Sequence, residues 1–540
     1  MDENDYDGVI AFGKKLLQYD EVSFKPMVME AIGESYDNIA DSIADDDAKR
    51  KEYLASAWPF MWEAYKAGTA QSAEKTIRLV KTGLNPAVNK KRELYGVLQE
   101  LPGKLTDGEY RHLPDAAKIF LWSSFAQCCI ALGDMAGNYN GFYQCYLLAG
   151  ENMFRRAEYF SNVLFTAQYL PFTAAELFSL HREYGEIFRG LPLYTHDLAA
   201  RSEEIRRTGR KIRIGYITPD CRVHVAVRFF IGMLNYADRE KFTTTMYSLS
   251  KTTDFMTEEV KKAADCFTDV SKMNASQVAA QIYEDGIDIL IDLAGHTAGS
   301  GLPVLAYKPA PVQISGIGYF DTTGLPTVDY FLADNFTDPP ELNDAFFTEK
   351  LLRLPHSHWC FAKNRAELPT ASPPYRRNGY ITFGSFNNFP KIGDDVLKAW
   401  SAILQQVPHS RLFLRTHIFG IEYGAKLVNK RLKAAGIPLG RVITEKFADD
   451  YLSRYNEIDI ALDSFPYPGG GTTCDALYMG LPVITLVQER HNSRFGYSLL
   501  TNVGLGELCT FSEEEYIQKA IELANDWDKI RDYHLTIRRK

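Results

Sequence analysis

Residues 459–486 read DIALDSFPYPGGGTTCDALYMGLPVITL. The run opens as an apolar strand, passes through a loop of Pro and Gly, and starts a helix at Thr472, Thr473 and Asp475. It then returns through Gly480 and Pro482 to a second apolar strand. Glycines let backbone N–H groups approach an anion, and a helix N-terminus adds partial positive charge, so this geometry suits a diphosphate. A Gly-rich strand-to-helix turn also forms where only a tight turn is needed. Within the stretch alone the two readings stand level.

The same texture extends upstream. GYITFGSFNNFPKI (379–392), SRLFLRTHI (410–418) and RVITEKF (441–447) complete one set of strands with the opening stretch. Before them KIRIGYITPD (211–220), FTTTMYSLS (242–250), IDILIDLAGHTAG (287–299), VQISGIGYF (312–320) and VDYFLAD (328–334) form another. Helical stretches such as SQVAAQIYEDG (276–286) stand between several of them. Runs apolar on both faces and separated by crossovers make a parallel, doubly wound sheet, so the fold class is α/β. Two similar halves, 208–375 and 376–540, follow one another across the Pro-rich segment 355–379. Ligands of such sheets sit at the carboxyl ends of the strands, which with two lobes is the cleft between them.

Residues 1–207 lack this alternation. AKRKEYLASAWPFMWEAYKAG (48–68) and AAKIFLWSSFAQCCIALGDM (116–135) carry apolar residues at helical spacing between PG, DG and NP turn signals. Thr173 and Glu176 form a capping box ahead of a helix that leads into the charged linker RSEEIRRTGRK (201–211). The region reads as an all-helical domain in which no fixed repeat period is visible. The whole chain, 540 residues at 46% hydrophobic and 24% charged content, has the size of about three globular domains. A net charge of -9 and a pI near 5.8 argue against coating nucleic acid or an anionic membrane. The N-terminus is acidic where a signal peptide is basic, and no apolar run reaches the width of a bilayer. The expectation is a cytoplasmic protein without a membrane span. Eight cysteines without ligand spacing read as reduced core residues, and no metal site is expected.

Polar residues interrupt the apolar pattern where the cleft should be. His224 follows the first strand of the first half, Asp292 and His296 end the third, and Asn387, Asn388 and Lys391 follow the first strand of the second half. A histidine on such a loop is either a satisfied structural residue or a catalytic one. Lys391 is either a solvated lysine or the cation that neutralises a departing diphosphate. Cys221 and His224 would make a thiol–base pair, but nothing else in the chain points to acyl chemistry.

Taken in order, IRIGYITPDCRVHVAVRF, DGIDILIDLAGHTAG, KPAPVQISGIGYFDTTGLPTVDYFLAD, ITFGSFNNFPKI, the opening stretch and HNSRFGYSLLTNVGL resemble glycosyltransferase family 41, the O-linked N-acetylglucosamine (O-GlcNAc) transferase group. The resemblance runs from about residue 162 to the end. It implies a GT-B fold, two Rossmann-like lobes with a nucleotide-sugar cleft between them, after a helical and often tetratricopeptide (TPR-like) domain. It implies an inverting, metal-independent enzyme without a cofactor, moving N-acetylglucosamine from UDP-GlcNAc to Ser or Thr hydroxyls of a protein acceptor. Flagellin or a surface adhesin as acceptor, and oligomer formation through the helices, are further expectations.

By the same resemblance His224 falls on the active-site histidine near sugar and acceptor, and Lys391 on the lysine that steadies the leaving diphosphate. Asn387 and Asn388 fall on the phosphate-contacting loop. Thr472 and Thr473, preceded by Gly470 and Gly471, match the Thr pair at the phosphate-binding helix start, and Asp475 matches the acid that holds the ribose hydroxyls. Asp292, a second candidate base, and His296 resemble the bacterial members' strand-end loop, and Arg494 falls near the sugar site. The chain departs from animal members in having glycines in place of a histidine before the Thr pair, and Tyr451 in place of a histidine beside uracil. The alternatives are a SPINDLY-like protein O-fucosyltransferase using GDP-fucose, an Asn-linked glucosyltransferase, and a catalytically silent binding scaffold.

Overall fold

The computed structural model describes residues 5–18, 24–43, 46–106, 108–362, 372–421, 423–448 and 451–540. The chain divides into two compact units, Met1–Glu151 and Asn152–Lys540. In the first unit every described element is a helix, from Tyr6–Leu16 to Met135–Leu148. Sequence neighbours pair, Lys25–Ser42 with Asp47–Lys66 and Asp115–Leu132 with Met135–Leu148. Asp46, Ser72 and Asp134 each accept from the N–H three residues on, which satisfies a donor that the first turn leaves open. The described α-helices of this unit run from 6 to 20 residues.

The second unit opens with helices Met153–Ala167, Ala174–Glu186 and Leu198–Thr208. Sequence grouping puts these with the preceding helices; in the structure they belong with the sheets. His181, on the second of these helices, and Gln168, in the turn before it, are buried against the first lobe. His181 Nε2 meets the Tyr319 hydroxyl at 2.8 Å, and the Gln168 amide donates to Tyr319 Oη and Asp321 Oδ2 at 3.2 and 3.1 Å. The expected capping box of Thr173 and Glu176 is formed.

Two parallel sheets follow. The first has seven strands: β1 Ile212–Thr218, β2 Phe242–Ser248, β3 Cys266–Asp269, β4 Ile289–Asp292, β5 Val312–Ser315, β6 Tyr330–Asp334 and β7 Lys350–Leu354, in the order β3-β2-β1-β4-β5-β6-β7. The second has six: β8 Thr382–Ser385, β9 Arg411–Thr416, β10 Val442–Lys446, β11 Ile460–Leu462, β12 Val483–Leu486 and β13 Cys509–Thr510, in the order β10-β9-β8-β11-β12-β13. Register places Tyr216 opposite Ile291 and Phe383 opposite Ile460. Strands β8, β11 and β12 are buried along their whole length, as near-continuous apolar runs require. The architecture is GT-B with helices before it. Strand order reverses between β1 and β4 in one lobe and between β8 and β11 in the other, the points at whose carboxyl ends sheets of this kind bind their ligands. The middle of the Pro-rich interlobe segment, 363–371, lies outside the described residues.

Candidate active site

The reversal point of the second lobe gathers two loops. The one after β8 carries Asn387, Asn388 and Lys391; the one after β11 runs from Asp463 to Gly470 into the helix Gly471–Tyr478. Asp463 is at their centre, a residue to which sequence reading assigns no role. Its Oδ1 accepts from Asn387 Nδ2 at 3.0 Å, Ser464 N at 3.0 Å and Gly469 N at 2.7 Å, and its Oδ2 from Thr485 Oγ1 at 3.1 Å. One carboxylate thus ties the β8 loop, both ends of the β11 loop and β12 together. Burial pushes its pKa up against these bonds. Asn387 Oδ1 in turn accepts from Thr472 Oγ1 at 2.5 Å, and Thr473 Oγ1 donates to Gly469 O at 3.0 Å. The signal available for Asp463 is an acid that ends an apolar strand just ahead of a Gly-rich loop.

Lys391 Nζ donates to Pro468 O at 2.8 Å and stands 3.9 Å from the ring centroid of Tyr467. Burial lowers its ammonium to about 8, with the Asp463 carboxylate opposing. Asn388 is exposed, and its backbone oxygen accepts the Lys391 N–H at 2.9 Å across the short turn that carries the lysine.

The first lobe packs directly on the glycines. A Cβ on Gly470 would lie 2.5 Å from Trp359 Cη2, and one on Gly471 would lie 3.0 Å from Val225 Cγ2. Glycine here makes room for two side chains of the facing lobe. His224, beside Val225, has a side chain 37% exposed, with Nδ1 accepting from Ala226 N at 3.3 Å and lying 3.4 Å from Asp220 Oδ1. Burial lowers its pKa. The ring is neutral near pH 7 and, with Nδ1 accepting, carries its proton on Nε2.

Asp475 is already engaged. Arg228 forks onto it, Nη2 to Oδ1 at 2.6 Å and Nη1 to Oδ2 at 3.1 Å, and the Tyr451 hydroxyl donates to Oδ2 at 3.0 Å. The Arg228 guanidinium also lies 4.4 Å from the Phe361 ring centroid. Sequence reading misses Arg228 because its partner is 247 residues away.

Three expected site residues lie elsewhere. Asp292 is 0% exposed, and its carboxylate accepts from Ser315 Oγ at 2.7 Å, Gly295 N at 2.8 Å and Ala294 N at 3.2 Å. It braces the turn after β4 and is closed off from solvent. His296 is equally buried, with Nδ1 3.0 Å from Ser161 Oγ, Nε2 3.0 Å from Thr323 O and its ring edge-on to Tyr184. Burial keeps it neutral. Arg494 donates through Nε to Phe336 O at 2.8 Å and through Nη1 to Gln488 O at 3.0 Å, so its guanidinium clamps two backbone segments. Cys221 is buried and its thiol is pushed up to about 12, which leaves no thiolate. Among the described residues no group of His, Cys, Asp and Glu is placed to hold a metal ion, and no helix is long and apolar enough to cross a membrane.

What the site brings together is one buried ammonium and the N–H groups of a helix start, in loops braced by the Asn387 amide and the two Thr hydroxyls, a set that stabilises negative charge on a bound or departing group. The profile of Glycosyl transferase family 41 matches residues 193–369 and 370–540. A probable UDP-N-acetylglucosamine–peptide N-acetylglucosaminyltransferase SPINDLY of Arabidopsis thaliana is 37% identical over 371 residues, 67% of this chain and 40% of that protein. A probable enzyme of the same description, SEC of the same plant, is 30% identical over 357 residues, 63% of this chain and 36% of that protein. The chain spans about two fifths of the length of these curated relatives. Among solved structures, a mutant O-GlcNAc transferase of Thermobaculum terrenum shares the fold, with a TM-score of 0.75 at 24% identity over 94% of both chains.

Proposed function

The chain belongs to glycosyl transferase family 41, and from that premise we propose that it is an inverting protein glycosyltransferase that moves N-acetylglucosamine from UDP-GlcNAc to Ser or Thr hydroxyls of a protein acceptor. The observation that carries this reading is the convergence of Lys391, Asn387, Thr472 and Thr473 where the strand order of the second lobe reverses. The donor diphosphate lies against these residues, Asn388 and the N–H groups of Gly470 and Gly471. Asp475 faces the ribose, and His224 stands on the first-lobe side of the sugar.

An acceptor hydroxyl attacks the anomeric carbon from the face opposite the diphosphate. The bond to the diphosphate oxygen breaks and the configuration inverts, while Lys391 and the Thr pair take up charge on the leaving group. With its proton on Nε2, His224 donates and positions rather than abstracts. Asp292 is closed off, so the hydroxyl proton passes to the departing phosphate. The names of the SPINDLY and SEC relatives favour UDP-GlcNAc as donor. GDP-fucose is the second reading, because the loop FPYPGGGTTCDALYMG (465–480) also resembles that of the SPINDLY-like branch.

Radiolabelled UDP-GlcNAc and GDP-fucose, offered to the purified protein with acceptor polypeptides, test the reaction, and thermal shifts with UDP and GDP test the base. UDP raises the melting temperature, and Lys391→Ala lowers transfer at least about 100-fold. A Lys391→Ala protein that transfers like the wild type overturns the assignment. A shift with GDP and none with UDP moves the donor to GDP-fucose.

A further inference from the structure

The family reading gives Lys391 its task but not the means by which a buried ammonium is held ready for a diphosphate. Its Nζ places one N–H on Pro468 O and stands over the face of Tyr467. Tyr467 is buried, and its own backbone oxygen accepts from Ser464 Oγ at 2.8 Å, so the ring is anchored in the loop that Asp463 braces. Tyr169, from the turn after the helix Met153–Ala167, packs against it with ring centroids 4.7 Å apart and ring planes tilted by 55°. Phe320 meets the ring edge-on at 5.9 Å. The charged group that acts on Lys391 is Asp463.

We propose that the face of Tyr467, whose ring packs against Tyr169, is the positioning surface for the Lys391 ammonium; the inference rests on the nucleotide-sugar reading of the site. The chemistry favours a ring over a second carboxylate. A second carboxylate beside Lys391, added to Asp463, would hold the cation but add to the repulsion of the diphosphate. A ring face presents negative potential without net charge and takes up no hydrogen bond. An ammonium has three donors, and with Pro468 taking one, the arrangement leaves donors for phosphate oxygens. Tyr169 extends the support to the segment before the first sheet, outside both lobes.

A shape-preserving series tests this. Tyr467→Phe keeps the ring face, and trifluorophenylalanine introduced at position 467 keeps the shape while stripping the face of negative potential. Lys391 is followed by competitive acetic anhydride labelling across roughly pH 6 to 10, read by peptide mass spectrometry, and UDP affinity by calorimetry. Lys391 titrates near its wild-type midpoint of about 8 in Tyr467→Phe. The fluorinated ring moves the midpoint to lower pH and weakens UDP about fivefold. An unchanged midpoint and unchanged affinity across the series overturn the positioning role even where UDP binds. If the wild type takes neither UDP nor GDP, the nucleotide reading fails, while the labelling still reports whether the ring holds the lysine.

Discussion

A lysine held at about 8 resists its own burial, and the cost has a pH signature. In the unfolded chain the group titrates near 10.4. Between about 8 and 10.4 the unfolded chain therefore binds a proton that the folded chain does not, and this residue makes stability rise with pH across that window. Below it both states are protonated and the penalty is constant. Lys391→Met keeps the apolar stem and removes the charge. It should be more stable than the wild type at pH 7 by roughly 3 kcal/mol, and the advantage should shrink as pH rises toward 10. Urea unfolding at three pH values checks this; a constant offset would show that Lys391 is not the titrating group. His224 shows the opposite case, a group whose neighbours fix its proton without changing its charge at pH 7. The Ala226 N–H occupies Nδ1, and a ring that must donate from Nε2 is suited to orienting an acceptor or sugar oxygen.

At the level of elements, the β11 loop depends on one carboxylate more than on its glycines. Asp463→Ala would leave Ser464 N, Gly469 N and Asn387 Nδ2 without their acceptor, at a cost of about 3 kcal/mol. Asp463→Asn keeps an oxygen toward those three donors and can turn its amide toward Thr485 Oγ1, so its cost should be about 1 kcal/mol. Denaturant midpoints compare the two, and equal losses would argue against the bracing role. This loop also shows what local sequence carries. Strands β8, β11 and β12 are legible because both faces are buried and the runs are uniformly apolar. Strands β3, β7 and β13 are not, being edge strands that are half-exposed or only two residues long. The Thr pair, the glycines and Lys391 are legible as chemistry at strand ends. Which way a strand-end side chain turns is not: Asp292 and His296 fold inward to satisfy their own loop, as Asp463 does, while His224 stays partly exposed. Alternation along a strand stops at its last residue, so the pattern that places the apolar side chains says nothing of the next few.

At the scale of the two-lobed unit, the lobes are joined by polar bonds on separated parts of the sequence. His491 Nδ1 meets Asp338 Oδ2 at 2.5 Å, Ser498 Oγ donates to Asp334 Oδ2 at 2.7 Å, and Arg228 pairs with Asp475. Only the last lies in the proposed donor site. Arg228 and Tyr451 already deliver three hydrogen bonds to Asp475, and a carboxylate has about four acceptor positions. A ribose that offers two hydroxyls to Asp475 must displace one of these bonds, so donor binding and the interlobe contact compete for one residue. Removing Arg228 alone leaves a buried, unpaired carboxylate, and Arg228→Ala should cost about 3 kcal/mol. The double variant Arg228→Ala, Asp475→Ala should lose less than the sum of the single losses, with a coupling of about 2 kcal/mol in the free protein. Saturating UDP should reduce that coupling, because the ribose then takes part of the carboxylate in the wild type. The cycle is measured by urea unfolding with and without UDP. A coupling that saturating UDP leaves unchanged would mean that the ribose and Arg228 do not share Asp475, and the acid would then belong to the joint between the lobes rather than to the donor.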